Sequence, residues 1–175
     1  LFRSDFGAMK KLWKLGWPIG FSYFLEVSLF SFIVFLVAKF GADQVAAQQI
    51  VISLITLIYM IPQAIGTAAT VRVGYTLGRR HRVRARYISG VAVAFGVILA
   101  LLTMVVMIVL RHPLAGMYTS DEAVLALAVQ VLWPAALYQL FDFTQCIASY
   151  ALRGYKVTKA PMLIHGISFW GLGLL

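Results

Sequence analysis

Residues 133–153 read WPAALYQLFDFTQCIASYALR, an apolar run with one carboxylate, Asp142, near its middle. Tyr138 stands four residues before that acid, Gln139 three before, Gln145 three after and Ser149 seven after. Residues three and four apart share a helix face, so Tyr138, Asp142, Gln145 and Ser149 form one narrow polar stripe on an otherwise greasy rod. A second acid in the same predicament is Glu26, inside PIGFSYFLEVSLFSFIVFLV. An ionisable group deep in a membrane helix is costly unless it faces protein or water, and it marks a pathway or a coupling site by default.

Composition makes the membrane setting firm. The 175 residues are 62% hydrophobic and only 12% charged, with a mean hydropathy of +0.89; a soluble domain is about 45–50% apolar and about 25% charged. The net charge of +9 falls between the apolar runs, as in loops at an anionic membrane face. No polar domain exists to carry a nucleic-acid footprint. Cys146 is the only cysteine, which excludes an internal disulfide and a thiol metal site. The three histidines lack metal-ligand spacing, and no P-loop, nucleotide fingerprint or hydrolase nucleophile appears. The reading is an all-α integral membrane protein, a multi-span helical bundle and not an enzyme.

Taken in order, residues 1–16 are expected to form a cytoplasmic linker with an interfacial helix, Phe6, Met9, Leu12 and Trp13 on one face and Lys10, Lys11 and Lys14 on the other. Spans are expected at about 17–39, 45–77, 87–110 and 123–152, with a truncated one at 162–175. Pro18 suits a first helical turn and Gly41 a stop. The second run contains Pro62 and is too long for a straight perpendicular span. The third is nearly pure hydrocarbon, suited to packing and lipid contact. In the connector before the fourth, SDE reads as an N-cap with acids in the first turn.

Thirteen of the fifteen basic residues fall on alternate sides of these spans, leaving only Lys39 and Arg111 opposite. The positive-inside rule then puts the N-terminus of the chain and both basic loops in the cytoplasm. Glu26 lies nine residues beyond Trp17, roughly 14 Å in. Asp142 lies eleven before Arg153, roughly 16 Å in, so both acids are expected near the midplane at matched depth. Two carboxyls sharing a low-dielectric cavity favour a held proton, or a cation such as Na⁺ bound through their oxygens. The plainer alternative is that each acid is neutral and hydrogen-bonded to a neighbouring helix. Gln48, Gln49 and Gln63 are further candidates for lining the cavity, though interhelical contacts explain them as well. The chain opens on Leu1 and closes inside an apolar run, which reads as a piece of a longer, transporter-sized protein.

Three stretches carry a resemblance: LGWPIGFSYFLEVSLF (15–30), VAAQQIVISLITLIYMIPQAIGTAATVRVGYTLGR (45–79) and ALYQLFDFTQCIASYALRGYKVTKAPM (136–162). Together they resemble the second half of bacterial multidrug and toxic compound extrusion (MATE) transporters. The resemblance implies twelve helices in two six-helix bundles, this chain supplying the second bundle's first four helices and part of the fifth. It implies a bacterial inner-membrane protein that exports cationic, often aromatic drugs in exchange for Na⁺ or H⁺, with no other cofactor. It also implies a cation site whose acids match Glu26 and Asp142 and whose tyrosine matches Tyr138. The missing N-terminal bundle is then a partner of this one. Two rivals are a lipid-linked oligosaccharide flippase of the same superfamily, which should have a strongly cationic cavity, and a non-transporting membrane scaffold, in which the acids are dispensable.

Overall fold

The computed structural model describes residues 6–172, which leaves Arg3 and the end of the expected fifth span, 173–175, outside the described residues. The chain forms α1 (Phe6–Val37), a 3₁₀ turn (Ala38–Phe40), α2 (Ala42–Gly78), α3 (Arg82–Val109), α4 (Arg111–Gly116), α5 (Glu122–Gly154) and α6 (Lys159–His165), which continues as a π-helical turn, Gly166–Leu172. Among the described residues there is no strand, and four helical segments are long and apolar enough to cross a membrane. In hydrocarbon every backbone N–H and C=O must find its partner within the segment, which dictates helix for such runs.

The boundaries differ from expectation in three places. Residues 6–16 are not a separate helix but the opening turns of α1, and Pro18 is its thirteenth residue rather than part of a first turn. A proline inside a helix removes one hydrogen bond, here to the Lys14 carbonyl, without forcing an end. Ser22 Oγ donates to the Pro18 carbonyl at 2.9 Å, holding the turn that follows. Secondly, most of the basic segment 78–86 is helical: only the turn around Arg79–His81 separates α2 from α3, and Arg82, Arg84 and Arg86 stand on the first turns of α3. Arg80 takes a left-handed φ of 61° to make so short a turn. Thirdly, the fifth run is not one regular helix, since it changes to π-helical winding at Gly166.

Two predicted signals stand where expected. Gly41, with φ 119°, supplies the break between the 3₁₀ turn and α2. Asp121 is the N-cap of α5; its Oδ1 accepts from the backbone N–H of Ala123 (2.8 Å) and Val124 (3.3 Å). At 37 residues α2 is the longest helix, about 55 Å against a hydrocarbon core of about 30 Å, so it tilts or projects beyond it.

The chain divides into two compact units. One contains α1 through Ile33 and the chain from Lys156 onward. In it the Trp170 indole donates to the Leu25 carbonyl at 3.2 Å, and its ring lies 6.3 Å from that of Phe32. Along α1, Trp13, Trp17, Phe21 and Phe24 stack in succession at 6.1–6.5 Å; all four are exposed.

The other unit, Val34–Tyr155, holds α2, α3 and α5 packed together. At one end Ala47, Ile50, Val51 and Leu54 of α2 meet Val124, Ala128, Val129 and Leu132 of α5, with Met107 of α3 beside them. In the middle Ala100 of α3 packs on Phe143 and Ile147 of α5, with Ile58 and Ile65 of α2 against them. Towards the other end Thr70 Oγ1 lies 2.6 Å from the Tyr150 carbonyl, and Ser89 Oγ meets the Tyr155 hydroxyl at 3.3 Å. Hence α2 and α5 run parallel and α3 runs against them. Small residues permit the approach. A Cβ at Gly66 would stand 2.7 Å from the Tyr150 ring, and one at Gly154 would stand 2.9 Å from Val73.

Helix α3 has the reverse of a soluble amphipathic pattern. Its buried residues are Ala85, Gly96, Ala100 and Met107, mostly small. Its bulky side chains, Val91, Phe95, Ile98, Leu102, Val105 and Val109, form an exposed stripe at helical spacing. Lipid tails are as apolar as leucine, so a membrane helix gains little by hiding its large residues and packs best through its small ones.

Candidate functional site

Helix α5 positions the acid. From its cap at Asp121 it runs unbroken through Pro134 to Gly154, and Asp142 lies twelve residues before that end, about 18 Å along the axis. The Asp142 side chain is 7% exposed. Tyr138, one turn earlier, points its hydroxyl at Asp142 Oδ1 from 3.5 Å, the outer limit of a hydrogen bond. Ser149 is also buried, Gln145 is half-buried and Tyr138 is the exposed end of the stripe. The stripe therefore forms a continuous polar edge, running from an exposed phenol to a buried carboxyl and a buried hydroxyl.

The register of α2 against α5 sorts the glutamines. Thr70 beside Tyr150, and Val73 beside Gly154, put Gln63 roughly level with Asp142. Gln48 and Gln49 belong to the turn that packs near Val124 and Ala128, some 14 residues from Asp142 along α5, or about 20 Å. Those two are therefore remote from the acid. Glu26 is half-buried on α1, in the other compact unit. The carbonyl of Leu25, the residue before it, is the one that accepts from the Trp170 indole.

One residue beside the acid escaped the stripe. Gln139 is fully buried, and neither its amide nitrogen nor its amide oxygen meets a hydrogen-bond partner among the described residues. A buried orphan amide costs its desolvation. On the helical wheel Gln139 stands to one side of the Tyr138–Asp142 line, so spacing alone did not join it to them. A glutamine level with Phe143 in a membrane core was the available signal.

Among the described residues no three His, Cys, Asp or Glu side chains gather as a metal centre. What α5 offers is one buried carboxyl with a hydroxyl in reach. Such oxygens suit a proton or a hard cation.

Comparison with known proteins agrees with the helical architecture. The MatE family model matches residues 18–175. The chain is 60% identical over 173 residues to a probable multidrug resistance protein NorM of Neisseria meningitidis serogroup B, covering 99% of this chain and 38% of that protein. It is 51% identical over 163 residues to a probable multidrug resistance protein NorM of Chromobacterium violaceum, covering 92% of this chain and 35% of the relative. It is 41% identical over 174 residues to the multidrug resistance protein MdtK of Proteus mirabilis, covering 99% and 38% respectively. The chain thus spans under two fifths of the length of these relatives. The chain belongs to the MatE family of multidrug and toxic compound extrusion transporters.

Proposed function

We propose that this chain is part of the ion-coupling half of a secondary active multidrug exporter, which expels cationic or aromatic drugs in exchange for inward Na⁺ or H⁺. The observation that carries the reading is the burial of Asp142 at mid-helix with the Tyr138 hydroxyl 3.5 Å away. A carboxyl in that setting is costly unless protein groups, water or a bound ion offset it, and it marks a coupling site by default. The names of the relatives, multidrug resistance proteins, support the substrate class. Asp142 and Glu26 alternately hold the coupling ion and release it as a cationic drug competes. Tyr138 supplies a hydroxyl ligand or a hydrogen bond, while Gln63, Gln145 and Ser149 line the path. Binding shifts the balance of outward- and inward-open states only by its differential affinity for the two.

The same reading places the chain in the bacterial inner membrane, with the α2–α3 and α5–α6 connections on the cytoplasmic side, as the basic residues require. Its partner is another bundle of the same protein. The test is drug efflux by the full-length protein in vesicles, with Na⁺ and pH gradients imposed one at a time. Efflux should follow one gradient, and should disappear in Glu26→Gln and in Asp142→Asn at matched expression. Efflux that responds to neither gradient would refute the antiporter reading.

A further inference from the structure

A cleft of about 610 Å³ lies between α2 and α3, and neither Asp142 nor Tyr138 lines it. Its mouth is basic. Arg72 comes from α2, Arg79 caps its C-terminal end seven residues on, and Arg84 comes from the first turn of α3. Tyr75 and Tyr87 flank them, 62% and 72% exposed, and the Arg79 guanidinium sits 5.1 Å over the Tyr75 ring. Deeper in, the walls become apolar: Ile65, Ala69, Ala92 and Phe95. From Arg79, the cap of α2, back to Ile65 is fourteen residues, about 21 Å of groove.

Within the two helices that form the cleft the charge has almost no counterpart. No Asp or Glu occurs between Asp43 and Asp121, a stretch that contains all of α3 and nearly all of α2. Arg72 is the telling residue. It is exposed, and it stands six residues inside the end of α2, between the basic mouth and the apolar walls of the cleft. A guanidinium beside apolar surface reaches towards an interface and takes a phosphate in a two-point grip.

We propose that this groove is a specific site for an anionic phospholipid. The headgroup phosphate lies among Arg72, Arg79 and Arg84, tyrosines stand at the glycerol level, and one acyl chain lies along Ile65, Ala69, Ala92 and Phe95. Exposed tyrosines belong at the membrane–water boundary, where one end of the ring is apolar and the other wet. The gradient along the groove, from cationic mouth to hydrocarbon floor, matches a lipid from headgroup to tail. A free anion would use the mouth alone, and a second protein surface would need carboxylates there.

The test is native mass spectrometry of the full-length protein, with phosphatidylglycerol and phosphatidylethanolamine titrated separately. Wild type should retain phosphatidylglycerol about tenfold more tightly than phosphatidylethanolamine. The triple variant Arg72→Gln, Arg79→Gln, Arg84→Gln should lose that preference. A second triple, Arg80→Gln, Arg82→Gln, Arg86→Gln, removes the same charge outside the groove and should keep it. Ala68→Trp, which leaves every charge and fills the groove, should lose retention of the lipid while the protein stays monodisperse. The proposal is overturned if both triples lose lipid equally, if Ala68→Trp retains it, or if millimolar inorganic phosphate displaces it fully. Equal retention of the two lipids by wild type would overturn it too, as would a groove covered by the other bundle and inert to all three variants.

Discussion

The middle of α5 and the junction of α2 with α3 both carry charge in a chain that has little, and they handle it in opposite ways. At Asp142 the charge is single and buried, with its neighbouring hydroxyl at the limit of reach. At the junction it is multiple and exposed, with arginines on the rim of a cleft. The depths expected from the sequence fit the difference. Near the midplane a carboxyl depends on protein groups or an exchanging ion. Near the membrane surface a guanidinium can reach phosphate and water, so a cluster is tolerated without any protein counter-charge. Buried charge of the first kind suits coupling, and exposed charge of the second kind suits anchoring and orientation.

The largest expected effect separates the two regions directly. Asp142→Asn in the full-length protein should abolish ion-coupled efflux, because the amide keeps shape and hydrogen bonding but has nothing to exchange. Arg86→Gln, at the same junction but outside the cleft, should leave efflux within about twofold, a few tenths of a kcal/mol, since it removes only surface charge. Vesicle transport at equal protein content reads both, and equal losses would erase the contrast.

Next in size is the packing that holds α5 in place. Gly66→Val should cost about 1–3 kcal/mol by overpacking against the Tyr150 ring, which already stands where a Cβ would go. Thermal unfolding in detergent checks it, and an unchanged midpoint would mean that α2 and α5 are less tightly joined than described. Gln139→Leu should act the other way. Replacing a fully buried orphan amide with an apolar side chain of similar size should raise stability by about 1–2 kcal/mol. A fall in the same thermal assay would show that the amide has a partner worth keeping.

The smallest effect concerns the hydroxyl beside the acid. Tyr138→Phe should weaken apparent ion affinity by about tenfold, since a single hydrogen bond or hydroxyl ligand contributes about 1–1.5 kcal/mol. The ion dependence of transport reads this shift. A loss as complete as that of Asp142→Asn would move Tyr138 from helper to principal ligand.

Sequence by itself determined the membrane class, the four long helices, the cap at Asp121 and the narrow stripe through Tyr138, Asp142 and Ser149. These rest on hydropathy and helical period, which are local properties of the chain. It also carried the family resemblance, and the family match bears out the family. Helix ends were less legible: Pro18 and residues 78–86 were read as boundaries, yet helix runs past the first and through much of the second. Backbone pairing in an apolar medium overrides such weak stop signals.

Only the tertiary structure decided the rest. Parallel packing of α2 on α5 makes Gln63 level with Asp142 and leaves Gln48 and Gln49 about 20 Å away. The packing buries the Gln139 amide without a partner among the described residues, and it joins Arg72 of α2, Arg79 of the turn and Arg84 of α3 into one cleft. Such facts depend on which helix faces which and at what height. That is set by where glycine and alanine let backbones approach, as at Gly66, Ala100 and Gly154, and no period within a single helix encodes it.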